Sequence, residues 1–109
     1  KDSSAKDMIV YEHLVIDNDA HRVMADEKRV NLTPKEYELL LFLAKSPDKV
    51  FNREELLKEV WNYDFYGDFR TVDTHVKRLR EKLNKVSPEA SQMIHTVWGI
   101  GYKFEVNDK

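Results

Sequence analysis

The side chains best suited to bind a charged or polar partner lie in one stretch, RTVDTHVKRLREKL, at positions 70–83. Wound as an α-helix at about 100° per residue, this stretch separates into two faces. One face is apolar and consists of Val72, Val76, Leu79 and Leu83. The opposite face is mostly cationic and hydroxylic: Arg70, Thr74, Lys77, Arg78, Glu81 and Lys85, with Thr71, His75 and Arg80 on its flanks. Such groups contact phosphates and base edges in a DNA major groove, although an ordinary solvated helix face has the same pattern.

The distribution of charge favours the nucleic-acid interpretation. The chain of 109 residues has a net charge of −2, which by itself argues against a nucleic-acid partner. Residues 70–85, however, hold six basic and two acidic side chains, whereas residues 1–69 hold 10 basic and 15 acidic ones. Because phosphates respond to the local field, a positive element on an acidic domain still indicates a polyanionic partner.

Composition argues against several other classes of protein. The chain has no cysteine, which excludes disulfides and thiolate metal sites and suits a reducing compartment. No apolar run has the length of a membrane span, so we expect no membrane contact and a cytoplasmic location. The four histidines have no metal-ligand spacing, and no nucleophile triad, phosphate-binding glycine loop or paired-carboxylate motif is present. We therefore expect no enzymatic activity, no cofactor and no metal.

The N-terminal third of the chain predicts a small antiparallel sheet. Four short segments are rich in β-forming residues: Met8–Tyr11, Leu14–Ile16, Arg22–Met24 and Val30–Leu32. Asn18-Asp19 and Asp26-Glu27-Lys28 are typical of the turns between them.

Helical signals follow. Thr33 is a candidate N-cap, Pro34 occupies the first helical position, and Glu36 completes a capping box. The sequence predicts that this apolar helix ends at Ser46-Pro47. After a brief strand at Val50-Phe51, Asn52 and Glu55 predict a second capped helix with an apolar edge that consists of Leu56, Leu57, Val60 and Trp61.

The C-terminal third predicts a basic helix, a polar connection over residues 84–91 and a β-hairpin. Met93–Val97 and Tyr102–Val106 are the candidate strands, and Gly99 and Gly101 lie where the turn needs positive φ. The order predicts an α+β fold: a winged helix-turn-helix with an N-terminal four-stranded antiparallel sheet, three helices and a C-terminal hairpin wing. The expected domain spans residues 8–106, between a linker remnant at 1–7 and a tail at 107–109.

Four motifs carry a resemblance to a known family: HRVMADE (21–27), LTPKEYELLLFLAKSPDKVFNREELLKEVW (32–61), RTVDTHVKRLREKL (70–83) and TVWGIGYKF (96–104). In order and spacing, they resemble the C-terminal effector domain of OmpR/PhoB-type response regulators. The segment WNYDFYGDFRTVDTHV (61–76) is most similar to Gram-positive members of the ResD/SrrA kind. The resemblance implies sequence-specific binding of double-stranded DNA and control of transcription in a two-component system. A winged helix that only binds proteins is the alternative.

The resemblance also implies roles for individual residues. The recognition helix, at about 70–84, would enter the major groove, and the wing, at about 93–106, would lie near the minor groove. Base contacts are expected from Thr74, His75 and Arg78, of which Arg78 can pair bidentately with guanine. Phosphate contacts are expected from Arg53, Trp61, Arg70, Thr71, Lys77, Arg80, Thr96 and Tyr102.

The resemblance also implies roles for the wing tip and for one loop, and it implies several binding partners. In the wing, Trp98 and Gly99 occupy the tip, and several relatives carry arginine where this chain has Trp98. The loop with Asp64, Gly67 and Asp68 is expected to contact RNA polymerase. Expected partners are DNA with direct-repeat sites, a second copy bound head to tail, and a receiver domain and sensor kinase reached through a missing N-terminal half.

Overall fold

The computed structural model describes residues 8–61 and 69–106 of the chain. The predicted linker at 1–7, the predicted tail at 107–109 and the predicted polymerase-contact residues Asp64, Gly67 and Asp68 lie outside these ranges.

The N-terminal sheet has four antiparallel strands in the order β1-β2-β3-β4: β1 (Met8–Tyr11), β2 (Leu14–Asp17), β3 (Arg22–Ala25) and β4 (Lys28–Val30). The predicted sheet is confirmed, but the position predicted for its last strand, Val30–Leu32, is wrong. Asp26 and Glu27 both have positive φ, at 50° and 70°, and make a two-residue hairpin turn. Ala25 therefore pairs with Lys28, and β4 ends where the sequence predicted that it begins.

The first helix, α1, spans Pro34–Lys45 and has the predicted cap. The Glu36 amide donates to Thr33 Oγ1 at 3.3 Å, and the Thr33 amide donates to Glu36 Oε1 at 3.0 Å. Leu39, Leu40 and Leu43 are fully buried, so α1 lies at the centre of the domain.

The second helical segment differs in part from the prediction. Strand β5 (Val50–Asn52) leads into α2 (Arg53–Leu56), and the predicted Asn52–Glu55 capping box is confirmed. From Leu57 to Trp61 the chain continues as a π-helix instead of an α-helix. Lys35 Nζ of α1 donates to Val60 O at 3.0 Å, which satisfies a carbonyl near the end of that segment.

The basic helix, α3, spans Arg70–Val86 and is followed by a short helix, α4 (Pro88–Ser91). The polar connection predicted for residues 84–91 is therefore wrong in part, because α3 extends to Val86 and α4 occupies the rest. The side chain of Ser87 caps α4 by accepting from the Ala90 amide at 3.2 Å. Pro88 begins the helix at a position where its missing N–H costs nothing.

The hairpin consists of β6 (Ile94–Val97) and β7 (Gly101–Phe104), and β5 joins it in a sheet of order β5-β7-β6. Its turn is closed by the Ile100 amide, which donates to Val97 O at 3.0 Å, and Gly99 has the predicted positive φ of 81°. The same prediction for Gly101 is wrong. A Cβ at Gly101 would lie 2.0 Å from Phe51 O, so glycine is needed there for the close approach of β5.

None of the helices in the described ranges is long and apolar enough to cross a membrane.

Candidate nucleic-acid interface

The two faces predicted for α3 are confirmed. Val72, Val76, Leu79 and Leu83 each have 0 % exposure and pack into the domain core. On the opposite side, the exposed residues are Arg70, Thr74, Lys77, Arg78, Glu81 and Lys85. The burial of one face fixes the rotation of the helix, so the cationic face is held towards solvent.

An ion pair between a buried carboxylate and a half-buried lysine anchors α3 to α1. Glu36 is only 2 % exposed, and one of its oxygens accepts from Lys82 Nζ at 2.6 Å. Burial acts to raise the pKa of Glu36, but the hydrogen bonds from Lys82 and the Thr33 backbone outweigh it and lower that pKa. Lys82 is therefore used inside the domain, and the sequence contained no signal for this long-range pair.

His75 is held by two neighbours. Its Nδ1 lies 2.9 Å from Thr71 O, and its ring meets the Trp61 ring edge-on with centroids 4.9 Å apart. Because a carbonyl oxygen can only accept, Nδ1 must carry the hydrogen, and neutral His75 keeps Nε2 as an acceptor. Trp61, a predicted phosphate contact, is 8 % exposed and mainly buried beneath the helix.

The first turn of α3 is joined to two other elements. Tyr102 of β7 donates its hydroxyl to Asp73 Oδ1 at 2.6 Å, and Arg53 Nε of α2 lies 3.5 Å from the same oxygen. Burial and the Asp73 carboxylate raise the pKa of Tyr102 to about 12, so its hydroxyl stays protonated and donating at neutral pH. Asp73 is thus engaged within the domain, where its charge is partly balanced by Arg53.

A second junction lies farther along α3. Arg80 Nη1 donates to Ile94 O at 3.2 Å and to Thr96 Oγ1 at 3.1 Å, both on β6. Residues 73 and 80 are about two helical turns apart, so the hairpin is bound to α3 at two levels. Sequence reasoning assigned Arg80, Thr96 and Tyr102 only to phosphate contact and missed these bonds, because each joins elements that are distant in the chain.

Some of the predicted contact residues line one groove between α2, α3 and the hairpin, whereas the predicted base contacts on α3 do not. A cavity of about 240 Å³ is lined by Arg53, Asp73, Arg80, Tyr102 and residues 96–101. At the hairpin tip, Trp98 is 88 % exposed and Ile100 is 57 % exposed. The tip therefore extends away from the core, and the Trp98 indole does not pack back onto the domain.

A different surface carries acidic groups and histidines. His13 Nδ1 lies 2.7 Å from Asp26 Oδ1, and His95 Nε2 lies 3.0 Å from Glu105. Within the described ranges, His13, Asp26 and Glu89 are near enough to one another to hold a metal ion. However, Asp26 already accepts from His13 and from Ser87, and these bonds account for the arrangement. Such a surface would repel phosphate, in contrast to the exposed cationic face of α3.

The sequence of the chain matches a known protein family. Residues 27–104 match the family described as "Transcriptional regulatory protein, C terminal". The chain belongs to this family. It is 76 % identical over 102 residues to the transcriptional regulatory protein SrrA of Staphylococcus aureus, which covers 94 % of this chain and 42 % of that protein. The predicted similarity to members of the ResD/SrrA kind is confirmed.

Solved structures agree with this family membership. The response regulator DrrB of Thermotoga maritima, an OmpR/PhoB homologue, is 38 % identical with a TM-score of 0.77, covering 90 % of this chain and 44 % of that one. The DNA-binding domain of Klebsiella pneumoniae RstA, solved in complex with the RstA box, is 32 % identical with a TM-score of 0.78. That match covers 90 % of this chain and 96 % of the RstA domain. The predicted winged-helix fold is therefore confirmed.

Proposed function

We propose that this domain binds double-stranded DNA sequence-specifically and is the effector part of a two-component response regulator that controls transcription. The observation that carries the proposal is the exposed cationic face of α3, held beside a projecting hairpin by a fully buried apolar stripe. An α-helix fits the major groove, and the hairpin tip would then reach towards the adjacent minor groove. The RstA domain, of the same fold, was solved with its DNA site.

Base readout is assigned to Thr74, His75 and Arg78. Arg78 and Thr74 are exposed on the outer face of α3, where a guanidinium can donate twice to guanine O6 and N7. Neutral His75, whose Nδ1 hydrogen is directed to Thr71 O, would offer an acceptor to the amino group of cytosine or adenine.

Phosphate contacts are assigned to eight residues: Arg53, Trp61, Arg70, Thr71, Lys77, Arg80, Thr96 and Tyr102. The side chains of Arg53, Trp61, Arg80, Thr96 and Tyr102 also have partners inside the domain. Both bonds that the structure describes for Arg80 involve Nη1, and its other N–H groups could bind a phosphate while Nη1 holds the hairpin.

A titration with salt tests this function against a protein-only winged helix. DNA recovered by selection from a random duplex pool is the probe, and a shuffled duplex of the same composition is its control. Binding through several phosphates should weaken steeply as salt rises, with a slope of about −0.9 per phosphate neutralised, and should favour the selected duplex. Equal and weak binding to both duplexes would contradict the proposal.

The wider assembly is part of the same proposal. The chain spans less than half the length of the SrrA relatives that it matches. We place it in a cytoplasmic, non-enzymatic regulator, with a receiver domain, a sensor kinase and RNA polymerase as partners of the whole protein. We expect this domain to be monomeric in solution and to pair head to tail on direct-repeat DNA. Sedimentation that shows a stable dimer at micromolar concentration without DNA would contradict this expectation.

A further inference from the structure

We propose that Asp73 and Tyr102 are positioning residues that set the angle between α3 and the hairpin, and so determine which flanking bases the hairpin reaches. The inference rests on the proposed DNA-binding function and extends it to Asp73, which has no assigned DNA contact, and to a second role for Tyr102 besides its predicted phosphate contact. Its basis is the bond from the Tyr102 hydroxyl to Asp73 Oδ1, at 2.6 Å, between the hairpin and the first turn of α3.

The position of this bond makes it suited to orient the hairpin. The hairpin is connected to α3 at a second point, where Arg80 Nη1 donates to Ile94 O and Thr96 Oγ1. Its strand β7 is also paired with β5, which limits how far the hairpin can move as a whole. Within that limit, two bonds about two turns apart on one helix set the angle between the hairpin and α3. Removal of the Asp73–Tyr102 bond should therefore allow a small rotation of the hairpin about the Arg80 junction.

The chemistry of the bond makes it strong and specific. Its acceptor is a carboxylate and its donor is a buried phenol, and hydrogen bonds to charged acceptors are roughly twice as strong as neutral ones. Arg53, the first residue of α2, also contacts Asp73: its Nε lies 3.5 Å from the same oxygen. The junction therefore also involves the start of α2. A carboxylate this close to a DNA-binding face would repel phosphate if it were free, and its two partners provide a reason for its presence.

The consequence for binding follows from the geometry of the tip. Trp98 and Ile100 project from the hairpin, beyond the junction, and a small rotation at the base displaces them most. Base contacts by α3 depend on α3 itself, which the buried stripe and the Lys82–Glu36 pair hold in place. Loss of the junction should therefore affect recognition under the hairpin more than recognition under α3.

The test uses Tyr102→Phe, which keeps the buried ring and removes only the hydroxyl. Asp73→Asn is the second variant, because it keeps an acceptor oxygen and removes the charge. Tyr11→Phe is the matched control: Tyr11 also donates a phenol hydrogen, to Ala44 O at 2.9 Å, but this bond joins β1 to α1 and not the hairpin to α3. The ring of Tyr11, which packs on Phe104 of β7 with centroids 5.3 Å apart, is kept in this variant. Hydroxyl-radical footprinting on the selected duplex measures protection under α3 and under the hairpin separately.

We expect Tyr102→Phe to lose protection at the hairpin flank, to keep it under α3 and to weaken affinity about three- to tenfold, the size of one hydrogen bond. Asp73→Asn should show the same pattern to a smaller extent, and Tyr11→Phe should leave the footprint unchanged. Uniform loss of protection, or an unchanged footprint with only a lower melting temperature, would overturn the proposal.

A measurement without DNA separates this inference from the proposed function. Residual dipolar couplings of backbone amides report the orientation of the hairpin relative to α3 in the free domain. We expect Tyr102→Phe to change the residual dipolar couplings of residues 94–104, which would report a new orientation of the hairpin relative to α3. Tyr11→Phe should leave these couplings unchanged. Unchanged couplings would overturn the positioning role even if DNA binding is demonstrated, and a failure of DNA binding would leave this result interpretable.

Discussion

Helices α1 and α3 contact each other in the core, yet their ends and faces are built differently. The N-terminus of α1 is closed by the reciprocal Thr33–Glu36 capping box. The residue at the N-cap of α3, Phe69, makes no side-chain capping bond within the described ranges. Three leucines of α1 are fully buried, whereas α3 buries one stripe and exposes Arg70, Lys77, Arg78 and Lys85.

This difference indicates a division of roles. In α1 the polar groups at the helix start bind one another, so the helix contributes mainly to stability. In α3 the buried stripe holds the helix, and the exposed groups are available to an external partner. Substitutions in α1 should therefore change unfolding, and substitutions on the outer face of α3 should change binding alone.

The largest effect is expected from the buried stripe of α3. Leu79→Ala should lower the free energy of unfolding by about 2–5 kcal/mol, because Leu79 is completely buried and alanine leaves a cavity. Chemical denaturation measures this loss, and Lys77→Ala on the exposed face is the control. A loss below 0.5 kcal/mol for Leu79→Ala would mean that the two faces are not as separate as we describe.

The outer face of α3 should show the next largest effect, on binding. Arg78→Ala should cost about 1–3 kcal/mol on the selected duplex and reduce discrimination at one base position. Lys77→Ala should instead weaken all sequences to a similar extent and reduce the salt slope by about one. Titrations on selected and shuffled duplexes distinguish the two, and equal losses on both duplexes for Arg78→Ala would remove it from base readout.

The cap of α1 provides the converse test. Thr33→Ala should lower the free energy of unfolding by about 1 kcal/mol, because it leaves the Glu36 amide without its acceptor. DNA affinity of the folded fraction should not change. Thermal denaturation and a titration on one sample test both statements, and a loss of affinity without a loss of stability would contradict the division of roles.

The pair that joins the two helices should respond to pH. The pKa of Glu36 is lowered in the folded state, so the unfolded state binds the proton more readily. Stability from Glu36 is therefore complete above the ordinary glutamate pKa and is lost as the pH falls through the lowered value. Lys82→Met should reduce this acid-dependent loss. Lys82 is 37 % exposed, which limits the effect, and an unchanged pH profile in the variant would show that the pair is not coupled to folding.

The smallest effect is expected at the hairpin tip. Trp98→Ala should weaken DNA binding modestly, and Trp98→Arg should strengthen it most at A·T-rich flanks, where a narrow minor groove has the most negative potential. Because Trp98 is 88 % exposed, neither change should reduce thermal stability. Affinity unchanged by both substitutions on A·T-rich and G·C-rich flanks would remove Trp98 from the interface.

The features that the sequence predicted depend on residues only a few positions apart in the chain. The Thr33–Glu36 and Asn52–Glu55 boxes depend on a spacing of three residues, and the stripe of α3 depends on helical periodicity. The Ser87-Pro88 start of α4 carries a local capping signal of the same kind.

The features that the sequence did not predict depend on contacts between residues that are far apart in the chain. Gly101 is required by the approach of Phe51 from β5, and the Lys82–Glu36 and Tyr102–Asp73 bonds join residues 46 and 29 positions apart. The π-helix at Leu57–Trp61 also has no local signature that we can identify. For the same reason, sequence identified the cations of the candidate interface but not the bonds that orient the hairpin beside them.

Chemical-shift mapping with the selected duplex tests the central claim most directly. Backbone amide signals of the labelled domain would be followed as the duplex is added. We predict that the largest changes occur on the exposed face of α3, around Thr74, Lys77 and Arg78, and at the hairpin tip. The acidic surface around His13, Asp26 and Glu89 should change little. Changes centred on that acidic surface, with α3 unaffected, would contradict the account.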